Sequence, residues 1–223
     1  MEPPSILFNK LFKFLFPYFT MNFQEAQQLL KEYVHKPEIL MHCLEVSIIM
    51  RFLARELGED EEKWAIAGLL HDIDYESCLK TEDCFRHPES SEISRFSSLE
   101  EHAKKGAGII KQKYPKIEED IIHAILAHNE EHTKTKRENK FDFALAASDN
   151  ISGMIFAYGL MRKSLEGMEI KSLKKKMKEK SFASTVRRDL IYDIDKANID
   201  LDKFLEIAIK AMQSIAREIG FGK

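Results

Sequence analysis

His71 and Asp72 are neighbours at the end of an apolar run, AIAGLL, that reads as a helix, so an imidazole and a carboxylate can turn into one cavity. A bare His-Asp pair is common, and its meaning depends on what else faces inward. His42 lies on the helical stripe of Val46, Ile49 and Leu53. Asp149 shares a face with Leu145, Ala146, Gly153 and Phe156. An inward histidine needs a partner, and an inward carboxylate needs a counter-charge or a metal. His102 stands one turn after a Ser98 cap, and His128 lies on the stripe of Ile121 and Ile125. His123, by contrast, shares its face with Lys116, Ala127 and Glu130 and reads as solvated; it is left out with His35, His87 and His132.

Any one of these groups could be a hydrogen-bonded core residue. Together, four histidines and two aspartates in one apolar interior would leave several groups desolvated without compensation unless a cation collects them. The candidate ligands are therefore His42, His71, Asp72, His102, His128 and Asp149. Imidazole and carboxylate donors suit manganese, iron, nickel, cobalt or zinc, and the absence of a thiolate argues against a closed structural zinc site. One or two ions are expected.

The order His, His-Asp, His, His, Asp resembles the ligand series of the HD superfamily of metal-dependent phosphohydrolases, with His102 and His128 matching its two-metal subset. The segments AGLLHDIDYE (67–76), EHAKKGAGII (101–110) and AILAHNEE (124–131) are similar to small bacterial and archaeal HDIG-related hydrolases, and the likeness runs from about Asn22 to Gly220. The resemblance implies an all-α, single compact HD-domain helical bundle. It also implies hydrolysis of a nucleotide or other small phosphate ester, monoester or diester, by a hydroxide held on the metal. Asp72 is then the catalytic residue that bridges two cations.

Departures narrow the substrate. Asp74 and Tyr75 stand where the family's usual Gly and Lys follow His-Asp-Ile. Asn129 replaces the paired histidine of cyclic-di-GMP phosphodiesterases, whose GYP signature is missing. Tyr75 and Glu76 do not match the acidic pair of guanosine tetraphosphate hydrolases. Two other outcomes share the ligand series: a di-iron oxygenase, which would consume oxygen, and a non-catalytic metal- or nucleotide-binding sensor, which would bind without turnover.

The elements that must position these residues are helical throughout, with no convincing period-two run. Asn22 with Glu25 forms a capping box, Pro37 suits the first turn of a long helix stopping at Gly58, and a short helix carries Trp64 to Leu70. Residues 73–97 read as a long loop. Ser98 with Glu101 predicts a cap for a helix ending before Pro115, and further helices are predicted over 118–129, 141–161 and 201–219, the last with Gly220 as C-cap. Residues 130–140 read as a solvated connection.

With 223 residues, 44% of them hydrophobic, the chain can bury one core, assigned to residues 22–220. Residues 1–21 form an apolar extension whose stretch from Ile6 to Phe19, broken by Lys10, Lys13 and Pro17, is too short to cross a bilayer. Three cysteines without paired spacing point to a reducing, cytoplasmic setting. The net charge of −3 is polarised, since residues 162–188 alone carry ten basic and three acidic groups. Such a stretch is most often a solvated face. Its functional reading is an electrostatic rim in which Lys174, Lys175 and Lys178 attract a nucleotide's phosphates. With no aromatic strip among these lysines, a nucleic-acid partner is not expected.

Overall fold

The computed structural model describes residues 21–79 and 100–221. The apolar segment 6–19, most of the expected loop, His87 and the Ser98 cap lie outside them. Among the described residues there are eleven α-helices and one 3-10 turn, and no strand. In chain order they are α1 (Phe23–Tyr33), α2 (Pro37–Leu57), α3 (Glu61–Leu70), α4 (Tyr75–Cys78), α5 (Lys104–Lys113) and α6 (Glu119–His128). They continue with α7 (Glu130–Thr133), α8 (Lys140–Arg162), α9 (Ile170–Lys178), α10 (Arg188–Tyr192), the 3-10 turn (Asp193–Ala197) and α11 (Leu201–Ser214).

Local chemistry explains most of the ends. The Asn22 side chain accepts from the Glu25 N–H while Glu25 reaches back to the Asn22 N–H, closing the capping box of α1, a feature worth about 1 kcal/mol. Pro37 opens α2, and Gly58, at φ 68°, ends it in the left-handed region that a side chain disfavours. Asp60 caps α3 through the N–H groups of Glu62 and Lys63. At α8 a second capping box, Asn139 with Asp142, starts the helix just before the expected Phe141.

The long helices α2 and α8 are the spine. α3 and α11 pack on α2, while α6, α10, α11 and the 3-10 turn pack on α8, and α2 also touches α8 directly. Ile49, Leu53, Ile66, Leu70, Leu145 and Ile151 are fully buried between them. Each such side chain contributes about 1.5–3 kcal/mol by leaving water. α2 and α3 approach so closely that a Cβ on Gly68 would lie 2.9 Å from the Ser47 Cα, and Ser47 Oγ donates to the Ala65 carbonyl at 2.8 Å across the same crossing. This contact brings the end of α3, and so His71, against the first half of α2.

Two expected boundaries move. α5 begins at Lys104, later than a Ser98 cap predicts, because Ala103 at its N-cap takes a positive φ of 70° with no side-chain cap of its own. α11 ends at Ser214, and Gly220, at φ 88°, terminates a following series of turns.

Candidate metal centre

The ligand candidates arrive from five places: His42 from α2, His71 and Asp72 from the end of α3, His102 from the turn before α5, His128 from the end of α6 and Asp149 from the middle of α8. Their donor atoms form two three-residue groups, His42–His71–Asp72 and Asp72–His102–His128, each within 4.8 Å, and Asp72 belongs to both. Asp149 completes the first, its Oδ1 lying 3.1 Å from His42 Nε2 and 3.8 Å from His71 Nε2. All six candidates named from sequence are thus brought together. His42 and Asp149 are not core residues, however; both are about a quarter exposed, because their helix faces open onto a cavity.

Each imidazole turns Nε2 towards the carboxylates and is held behind through Nδ1. His71 Nδ1 bonds the Gly68 carbonyl at 2.8 Å, His128 Nδ1 the Ile125 carbonyl, and His102 Nδ1 the Asp74 carboxylate at 2.8 Å. His42 Nδ1 lies 3.3 Å from Ser152 Oγ, whose own hydroxyl donates to the Asp149 carbonyl, so the ring is the donor in that pair. Four rings with Nδ1 held as donor leave four inward Nε2 positions for a cation. His71 Nε2 tests the fit best. It is buried without a hydrogen-bond partner, and its lone pair faces carboxylate oxygens 3.5 and 3.8 Å away. A divalent metal would satisfy that orphaned acceptor and both carboxylates at once.

Rings and carboxylates act strongly on one another's charge. Burial would raise the Asp72 carboxyl, but His71, His102 and His42 outweigh it and hold it well below the usual range. Burial is likewise overcome at Asp149 by His42 and His71, which lower it. Burial disfavours charge on His42, yet Asp149, Asp72 and Glu45 raise it to about 9. Burial also opposes charge on His102, but Asp72 and Asp74 raise it to about 10. His128, buried and beside His71 and His102, drops to about 4.

The groups open onto a cavity of about 510 Å³ whose wall includes Ile39, Tyr75, Gly153, Thr185, Val186 and Leu190. Two arginines stand on its rim. Arg137 donates to the Ala127 carbonyl, next to His128, and pairs with Glu130 at 3.1 Å. The Arg187 N–H donates to Asn150, next to Asp149, and its guanidinium pairs with Glu131 and Asp189. Lys174, Lys175 and Lys178 lie on α9 and are not among the lining residues; Lys174 pairs with Asp202 at 2.6 Å. The sequence reading missed both arginines, one inside the supposed solvated connection and one hidden among the basic residues of 162–188. It also passed over Asp74 as a departure. His123, set aside as solvated, bonds Asp142 at 3.1 Å and belongs to neither ligand group.

Comparison with known proteins agrees with this geometry. The HD domain model matches residues 39–196. Ribonuclease Y of Lawsonia intracellularis is 39% identical over 115 residues, and Ribonuclease Y of Nitratidesulfovibrio vulgaris and of Oleidesulfovibrio alaskensis are 36% and 35% identical over the same length. Each alignment takes in 52% of this chain but 18% of the relative. No solved structure matches. No helix among the described residues is long and apolar enough to cross a membrane. Family match, ligand order and two ligand groups sharing one aspartate coincide: the chain belongs to the HD-domain superfamily of metal-dependent phosphohydrolases.

Proposed function

We propose that this protein hydrolyses a nucleotide or another small phosphate ester with two divalent transition metals. His42, His71, Asp72 and Asp149 would hold one ion, and Asp72, His102 and His128 the other. The single observation that carries the reading is the membership of Asp72 in both ligand groups. Bound cations at such a site supply Lewis-acid polarisation of the phosphoryl oxygens and acidify water for attack on phosphorus.

The chain's own residues do the rest. The bonds behind the four rings fix their orientation, so ligand geometry does not have to be assembled when substrate arrives. The lining bears five carboxylates, Glu38, Asp72, Glu130, Glu131 and Asp149, against two guanidiniums and the His42 and His102 imidazoles, and metal would tip that balance towards a phosphate. Arg137 and Arg187 are placed to receive phosphate oxygens, exchanging Glu130 and Glu131 for the substrate. Ile39, Val186 and Leu190 give the lining apolar surface suited to a nucleoside. Lys174, Lys175 and Lys178 act only at longer range.

The likeness to proteins named Ribonuclease Y favours a second reading, an RNA phosphodiester in the same cavity. One assay separates the two. Phosphate release from nucleoside monophosphates and cleavage of short oligoribonucleotides are compared with manganese, iron, nickel, cobalt and zinc. Release from monophosphates alone supports the small-ester reading, cleavage of oligoribonucleotides alone supports the second, and no hydrolysis of phosphate esters with any metal overturns both.

A further inference from the structure

Asp74 is fully buried although it lies only two residues from Asp72, and its carboxylate accepts three hydrogen bonds. Oδ1 receives His102 Nδ1 at 2.8 Å, while Oδ2 receives the Ala103 N–H at 2.9 Å and the Gly106 N–H at 2.8 Å. These bonds perform two tasks. They cap α5, whose own N-cap residue Ala103 offers no side chain for it, and they hold the histidine immediately before that cap. The space is shaped for the purpose: a Cβ at Gly106 would stand 3.2 Å from the Asp74 Cγ and 3.1 Å from Ile73.

We infer that Asp74 is the positioning residue of the second metal half-site, setting both the tautomer and the direction of His102 so that Nε2 faces Asp72. The inference rests on the proposed ligand role of His102. An imidazole presents a lone pair at Nε2 only while its proton sits on Nδ1, and a carboxylate that accepts at Nδ1 enforces that arrangement. Among the described residues, the Asp74 carboxylate is the partner of His102 Nδ1. Asp74 therefore contributes to the site without touching an ion.

Asp74→Asn is the discriminating change because it conserves size and reverses one bond. Its oxygen must still face the two backbone N–H groups, which leaves the amide N–H₂ against His102 Nδ1. Two donors cannot share that contact, so the ring proton moves to Nε2, where it points at Asp72 and blocks coordination. The expected result is a second-ion dissociation constant raised about 10- to 100-fold, with the first ion within about twofold, read by metal titration of the full chain. In a His102→Ala background the same substitution should add nothing. If Asp74→Asn weakens both ions alike, or still weakens binding when His102 is absent, the residue is merely structural and the inference fails. If Asp74→Asn does not fold, nitrogen NMR of the zinc-loaded unaltered protein decides: a protected Nδ1–H on His102 supports the inference, and a proton on Nε2 overturns it. Failure of the underlying reading looks different, since His102→Ala would then keep both ions.

Discussion

The two halves of the candidate metal centre share Asp72 but differ in charge and in exposure. The first, His42 and His71 with Asp149, has a carboxylate of its own and opens to solvent, the side chains of His42 and Asp149 being 26% and 27% exposed. The second, His102 and His128, has no candidate ligand carboxylate beyond Asp72 and is nearly closed, at 8% and 5%. A cation entering the first half meets two negative charges while keeping access to water. One entering the second meets a shared charge in a drier place, where an uncompensated charge costs more. The rings of both halves are braced through Nδ1, but the first half adds a candidate ligand carboxylate of its own, while the buried carboxylate of the second half, Asp74, braces a ring instead. Stepwise metal titration should fill the first half before the second.

The largest expected effect removes what the halves share. Asp72→Ala should strip both ions and lower phosphate release on the order of 10³-fold or more, the scale of a several-kcal/mol loss of metal stabilisation. A folded Asp72→Ala protein that retains one full equivalent of metal would show that the halves are independent. Next come the substitutions that touch one half each. His102→Ala and His128→Ala should remove the second ion alone, and His42→Ala or Asp149→Ala the first, with activity down about 100-fold in each case. Thermal melting must accompany these assays, because losing a ligand can leave a buried ring unpaired. Should His102→Ala and His128→Ala keep full metal content and near-normal rates, a single-ion site of His42, His71, Asp72 and Asp149 replaces the two-ion proposal.

Protons distinguish the halves in a third way. In the metal-free site His42 titrates at about 9 and His102 at about 10, so at pH 7.5 both are protonated and each must release a proton to bind metal. His128, at about 4, releases none, and the carboxylates of Asp72 and Asp149 are already ionised. Each half should thus lose affinity about tenfold for every pH unit that the medium falls below pH 9, and gain nothing further above pH 10. The sign is reversed for stability of the empty protein. His42 and His102, raised above their unfolded value near 6.5, stabilise fully below that value, and the contribution fades as pH rises through 9 to 10. Calorimetry in buffers of different ionisation heat counts the protons directly; a count near zero would contradict the charged rings.

How much of this was legible follows from whether each determinant is local. The Asn22–Glu25 box, Pro37 and Gly58 act within one turn of chain, and the sequence reading placed them correctly. Helical period places His42, His128 and Asp149 on inward faces and adjacency joins His71 to Asp72, whereas His102 precedes α5 and the Ser98 cap that named it lies outside the described residues. What escaped were side chains whose roles are made by distant partners. Asp74 serves residues 28 to 32 positions away, and Glu76 accepts from the His35 and Lys36 N–H groups at the start of α2, so both look like ordinary acids in the chain. Arg137 and Arg187 reach the cavity because α6, α8 and the segment before α10 converge there, which no spacing announces.

The smallest expected effect probes the same comparison from outside, using charges that touch neither half. Arg137 stands behind His128 and Arg187 beside Asn150, so one arginine borders each half of the centre. Each is already paired with a carboxylate, and trading that partner for a phosphate oxygen gains less than a free guanidinium would. Either Arg137→Ala or Arg187→Ala should raise KM about fivefold with kcat little changed, as expected for binding that is equal in ground and transition states. Lys174, Lys175 and Lys178 lie off the cavity wall, and Lys174 is occupied by Asp202. Their influence must cross solvent, where a Debye length of about 8 Å at physiological salt attenuates it. Replacing all three with glutamate should therefore raise KM only about twofold at low salt, and the difference should vanish near 0.5 M salt, where that length is shorter still. The arginine effects, resting on direct contact, should persist there. If the lysine effect survives high salt and exceeds the arginine one, phosphate is held by α9, and the rim assigned to the two halves is misplaced.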